Sequence, residues 1–94
     1  MPQQFEWDSV KAAENERKHG VTFEQARLAF EDPNSVEWRD IDLVYGEERF
    51  VLLGRTGAML MKVIYTERDE ASRIISAREA TRNEHRRYQL ENDH

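Results

Sequence analysis

The sequence predicts an α+β fold: an antiparallel β-sheet meander with two N-terminal helices and one C-terminal helix. Three observations carry that prediction. Two helix-start signatures lie either side of one glycine near the N-terminus. A run of β-rich stretches joined by short turns then fills the middle of the chain. A polar stretch with helical spacing closes it. Ninety-four residues hold one hydrophobic core and not two, so residues 1–94 are expected to form a single domain.

Phe5-Glu6-Trp7-Asp8 alternates apolar and polar residues, as a short strand does. Asp8 is the N-cap of a helix reaching about His19, and Gly20 supplies the left-handed residue that ends it. Lys18 and His19 suit the negative end of that helix dipole. Thr22-Phe23-Glu24-Gln25 has the form of a capping box, and Phe23, Ala26, Ala29 and Phe30 follow near the 3–4 spacing. Asp32-Pro33-Asn34 stops this second helix. A short strand is expected over Ser35–Arg39, then a polar loop from Asp42 to Glu47. Glu48–Gly54, Ala58–Thr66 and Arg73–Ala77 read as three further strands, with Thr56-Gly57 and the charged stretch Glu67–Ser72 as the turns between them. Successive strands on short turns pair antiparallel. Ser76-Ala77-Arg78-Glu79 is a second capping-box candidate and predicts a helix to about Glu91. That helix has almost no apolar stripe, so it is either a surface helix or half of an interface, and Tyr88 and Leu90 favour a partner-facing surface.

Composition excludes several kinds of function. There is no cysteine, hence no disulfide, thiolate metal site or cysteine nucleophile. The longest apolar runs are as short as Val51-Leu52-Leu53, so no membrane span is expected. The first residues lack a basic stretch followed by an apolar one, and a cytoplasmic location is expected. The net charge of −5 argues, as a single number, against nucleic acid. Its distribution is uneven. Residues 1–61 carry seven Lys/Arg against twelve Asp/Glu, whereas residues 62–88 carry seven against five. All but one of the basic residues after position 61 are arginine, whose planar fork matches phosphate or carboxylate.

No metal or cofactor is expected. His19, His85 and His94 have no ligand spacing and read as surface histidines. Gly54-Arg55-Thr56-Gly57 lacks the phosphate-loop pattern and reads as a hairpin turn. An arginine constellation is left. Arg49 and Lys62 lie in the meander, Arg68 in a turn, and Arg73 opens the last strand. Arg78 and Arg82, four apart on the expected final helix, share a face. Such a set could hold a phosphodiester and stabilise a pentacovalent transition state. His19 and Glu48 are the candidates for proton transfer. On the residues alone, an RNA-cleaving or RNA-binding site, a protein-binding module and a small-molecule site all stay open.

Four blocks, in order, resemble one family. They are Phe5-Glu6-Trp7-Asp8 with Lys11, Asn15 and Lys18-His19-Gly20-Val21; Gly46-Glu47-Glu48-Arg49-Phe50 with Gly54; Tyr65-Thr66-Glu67-Arg68; and Arg73-Ile74-Ile75-Ser76-Ala77-Arg78-Glu79-Ala80-Thr81. Together they resemble the BrnT toxins of type II toxin–antitoxin systems, over residues 5 to about 88. The resemblance implies a RelE-like fold and a metal-independent endoribonuclease that attacks with the RNA 2′-hydroxyl and inhibits translation. It implies a BrnA-like antitoxin as partner, contact with DNA only through that antitoxin, and a toxin–antitoxin heterotetramer. His19, Glu48, Arg49, Arg73 and Arg78 are then the catalytic candidates, and Lys18, Lys62, Arg68 and Arg82 the RNA-binding ones. An interaction module that completes an operon repressor is the alternative. For it, the acidic first two-thirds of the chain would complement a basic antitoxin.

Overall fold

The computed structural model describes residues 3–42 and 47–93. The order is β1 (Gln4–Glu6), α1 (Ser9–His19), α2 (Phe23–Ala29), β2 (Val36–Asp42), β3 (Glu47–Thr56), β4 (Met59–Arg68), β5 (Ala71–Glu79) and α3 (Arg82–Asn92). This is the expected α+β class and element order. Most of the loop read between Asp42 and Glu47 lies outside the described residues. No described helix is long and apolar enough to cross a membrane.

Local chemistry sets the helix ends. The Asp8 carboxylate accepts the Val10 N–H at 2.9 Å, and Gly20 closes α1 at φ 73°. Thr22 and Gln25 form the reciprocal capping box of α2. Asn15, the buried residue of α1, bonds the backbone of β5 in both directions. Its Nδ2 donates to the Ala77 carbonyl at 2.8 Å, and its Oδ1 accepts the Ala77 N–H at 3.2 Å. A polar side chain thus docks a helix that has little apolar surface of its own.

The sheet order is β1-β5-β4-β3-β2. Strands β2 to β5 make the predicted meander. The whole sheet is mixed rather than antiparallel, because β1 joins the edge of β5 in parallel, Phe5 beside Ser72 and Glu6 beside Arg73. A parallel neighbour needs a long crossover, and the whole α1–β4 stretch supplies it. The turns β3–β4 and β4–β5 are two residues each: Gly57-Ala58, with Gly57 at φ 62°, and Asp69-Glu70, with Asp69 at φ 57°.

Each face of the sheet has its own apolar cluster. On one, α1 and α2 lie over Leu52, Met61, Val63, Tyr65, Ile74 and Ala77, and α2 inserts Phe23, Ala26 and Ala29. Burying Phe23 alone contributes about 2–3 kcal/mol. On the other, Tyr88 of α3 packs on Val36, Leu53 and Leu60. Its hydroxyl donates to Asp32 at 2.6 Å. Burial pushes the Asp32 carboxyl up, but the Tyr88 hydroxyl, the Arg55 and Asn34 N–H groups and the Arg55 charge outweigh this and hold it low.

Two expectations for the C-terminal third are corrected. The helix does not start at Ser76: residues 76–79 continue β5, with Ser76 opposite Ile64 and Arg78 opposite Lys62. The capping box that operates is Thr81…Glu84, five residues on. Pairing with the long β4 outweighs a local cap signal. Arg78 and Arg82 therefore share no helix face. Tyr88 is not a free partner contact, being 8% exposed beneath its own helix, whereas Leu90 is open to solvent at 64%.

Candidate functional site: a cationic cleft on the open sheet face

A one-residue irregularity builds the site. Between Ile64 and Tyr65 the β4–β5 register shifts: Ile64 pairs with Ser76, but Tyr65 pairs with Ile74. Ile75 is the extra residue, a β-bulge. Arg73 and Arg78 are five apart, and plain alternation would turn them to opposite faces. The bulge restores them to one. Arg73 stands beside Thr66, and Arg78 beside Lys62, on the face away from α1 and α2. Alternation along β3 and β4 adds Arg49 and Arg68.

These residues wall a cleft of about 370 Å³, lined by Lys11, Glu48, Arg49, Phe50, Thr66, Glu67, Arg68, Arg73 and Ile75. Four cationic side chains thus meet over one concave stretch of strand. Arg49 is half-buried and its Nε is shut off from solvent. Arg73 has a carboxylate neighbour, Glu6 of β1, at 3.8 Å, with both ends substantially exposed. Lys11 also lines a second cleft with Glu14, Asn15, Lys18, His19, Ile75 and Ser76. The two clefts share Lys11 and Ile75, and so form one strip along the α1–β5 boundary.

Of the residues singled out in the sequence, Arg49, Arg68 and Arg73 come together, and Lys18 and His19 stand in the adjoining cleft. Glu48 also lines the cleft of the three arginines. By register its side chain shares a face with Arg39, which its carboxylate meets at 3.1 Å. Arg82 is exposed at the start of α3. Lys11 and Thr66 belong to the cleft and were missed as site residues, although both fall within the blocks that carry the family resemblance.

Lys62 and Arg78 lie on the same face but are engaged. Glu84 of α3 accepts from both terminal nitrogens of Arg78, at 2.8 and 2.9 Å, and its Oε2 is 3.7 Å from Lys62 Nζ. Burial pushes the Glu84 carboxyl up. Hydrogen bonds from Arg78 and the Thr81 N–H, with the charges of Arg78 and Lys62, outweigh that and hold it at about 2, against an ordinary 4.5. A depressed carboxyl contributes stability that is complete above the unfolded value and is lost as pH falls through the folded one. Wild type is therefore expected to lose on the order of 2–3 kcal/mol between pH 5 and pH 2 that Glu84→Gln does not lose. Urea melts of both proteins across that range check it, and a gap that fails to narrow on acidification refutes it.

Both faces carry carboxylates: Asp40 lies opposite Arg49 by register. Glu37, Glu48 and Glu67 fall on the helix side by register. Glu37 accepts the Tyr65 hydroxyl, and burial, then the Glu67 charge, push its carboxyl up. The opposite face carries the cationic cleft.

Over residues 7–84 the chain matches a family model described as ribonuclease toxin, BrnT, of type II toxin–antitoxin system. The chain belongs to the BrnT family. A comparison with curated proteins finds no match. BrnT proteins are ribonuclease toxins, and the matched span contains every residue of the cationic cleft. It stops inside α3, before Tyr88. The cleft thus sits wholly in the part of the chain that defines the family, and the α3 anchor does not.

Proposed function

We propose that this BrnT protein is a metal-independent endoribonuclease with a RelE-like fold, and that it inhibits translation by cutting RNA in the Lys11–Arg49–Arg68–Arg73 cleft. The observation that carries this reading is the bulge at Ile75, which places Arg73 on the face of Arg49 and Arg68. Guanidinium groups over a concave strand surface bind a phosphodiester and take up the charge that develops as it becomes pentacovalent. In that reaction the RNA 2′-oxygen attacks the neighbouring phosphorus, the P–O5′ bond breaks, and a 2′,3′-cyclic phosphate and a 5′-hydroxyl form. The 2′-hydroxyl gives its proton to a base, and the departing O5′ takes one up. His19 is the group of the strip suited to this exchange. Cationic side chains stabilise the charge, and the mechanism needs no metal.

A BrnA-like antitoxin is the partner in this reading. The carboxylates of the helix face complement a basic antitoxin segment, in a heterotetramer that reaches DNA through the antitoxin alone. Both proteins work in the cytoplasm.

The test is direct. Purified protein in EDTA, given a 5′-labelled single-stranded RNA, is expected to yield internal cuts ending in 2′,3′-cyclic phosphate. Induced expression is expected to arrest growth and translation, and co-expressed antitoxin to relieve the arrest. Folded protein that leaves RNA intact, and whose expression is harmless, overturns the reading.

A further inference from the structure

We infer that Lys62 and Arg78 form a second phosphate subsite for the RNA backbone, occupied in this structure by the protein's own Glu84 carboxylate. The inference rests on the ribonuclease reading and extends the same cleft. Lys62 and Arg78 are directly opposed across β4 and β5, on the face of Arg49, Arg68 and Arg73. Four residues along β4 separate Lys62 from Thr66 in the cleft, a rise of about 13 Å. One short single strand can lie along both. Ile64 and Ser76, between the two places on that face, carry no charge to repel it.

The occupant's geometry defines the ligand. Glu84 offers Arg78 two oxygens in parallel, one to each terminal nitrogen, with Lys62 beside them. A phosphodiester presents the same pair of oxygens to a guanidinium fork. With both terminal nitrogens engaged by Glu84, Arg78 cannot bind a phosphate in that way at the same time. The mask can also leave without opening the main core. Glu84 rides on α3, whose one buried residue is Tyr88, and its removal opens neither α1 nor α2. Arg78 and Lys62 already show 30% and 22% of their side-chain surface to solvent, so the site lies at the rim and not in the core.

Glu84→Gln tests the inference. Glutamine keeps an acceptor for the Thr81 N–H, so the capping box survives while the charge is removed. The probe is a 2′-O-methyl single-stranded oligonucleotide, which binds as RNA does but offers no attacking hydroxyl. Its affinity for Glu84→Gln is expected to exceed wild type by about 3- to 10-fold at 0.1 M salt. The slope of log K against log salt is expected to steepen by roughly 1, as two more cations meet phosphates. Adding Arg78→Gln to Glu84→Gln is expected to cancel the gain. Tyr88→Phe, which loosens α3 without touching Glu84, is expected to move affinity the same way by a smaller factor. A Glu84→Gln protein with wild-type affinity and slope, or with weaker binding, overturns the inference. If Arg73 still governs cleavage in that case, the ribonuclease reading stands. Wild type that neither binds the probe nor cuts RNA overturns that reading instead.

Discussion

Replacing Arg73 by alanine is expected to leave a folded protein that cleaves RNA about 10²–10³ times more slowly, the effect of removing one preorganised donor from a charge-stabilising site. Arg73 is the sharpest choice because it lines the cleft and stands beside Thr66, just past the bulge at Ile75. The fold cost is small. The Glu6 carboxylate stands 3.8 Å away and both groups are partly exposed, so their pairing is worth about 1 kcal/mol or less. Arg73→Lys keeps the charge without the planar fork and is expected to recover only part of the rate. Arg27→Ala is the control. Arg27 belongs to α2 on the other side of the sheet, pairs with Glu24, and is expected to leave cleavage unchanged. Single-turnover cleavage and a thermal melt for each protein decide the matter. If Arg73→Ala cleaves like wild type, the catalytic surface lies elsewhere.

Much of the fold was legible in the sequence because it rests on local chemistry. Asp8, Gly20 and the Thr22–Gln25 box act within four residues of themselves, so the ends of α1 and α2 could be read directly. The meander followed from alternation and turn residues. What escaped depends on pairing at a distance. Ser76…Glu79 and Thr81…Glu84 are equally good boxes as strings of letters. Only the presence of β4 alongside decides that the first is strand. Tyr88 looked like an interface residue because its helix is polar, yet Val36, Leu53 and Leu60, three strands' worth of remote sequence, supply the surface it covers. The parallel pairing of β1 with β5 was invisible for the same reason.

The site was legible as a list of residue types but not as an arrangement. Arg49, Arg68 and Arg73 could be named, yet Arg73 and Arg78 have opposite parity, and nothing local marks Ile75 as the residue that reverses it. Glu48 and Arg49 are adjacent and equally suggestive in sequence. Both line the cleft, but alternation places Glu48 on the side of Arg39 and Arg49 on the opposite one. The net charge changes meaning in the same way. Its uneven distribution along the chain is folded onto both sheet faces, because each strand contributes to both sides.

Gly54→Ala is expected to be the most damaging single-methyl change in the described chain, destabilising the fold by about 3 kcal/mol or more. Gly54 lies on the helix face of β3, opposite Met61, where α2 crosses closest to the sheet. An added Cβ would stand 2.3 Å from the Ala29 carbonyl oxygen and 3.1 Å from both its carbonyl carbon and its Cβ. None of these atoms is the end of a flexible side chain, so no rotamer change relieves the contact. Rotating the carbonyl away strains the bond it accepts from the Asp32 N–H at 3.3 Å. Asp32 in turn receives the Tyr88 hydroxyl that docks α3. The remaining escape is for α2 to lift, which parts Phe23, Ala26 and Ala29 from Leu52, Met61 and Val63. At this chain length the loss corresponds to a fall in Tm of roughly 12–24 °C. Urea unfolding is expected to show a lower midpoint at an unchanged slope. The cleft lies on the far face, so the Gly54→Ala molecules still folded at low temperature are expected to cleave RNA at the wild-type rate. A protein with lowered stability and intact specific activity separates the packing of α2 from the chemistry, whereas an unshifted Tm shows that α2 does not press on β3 at Gly54.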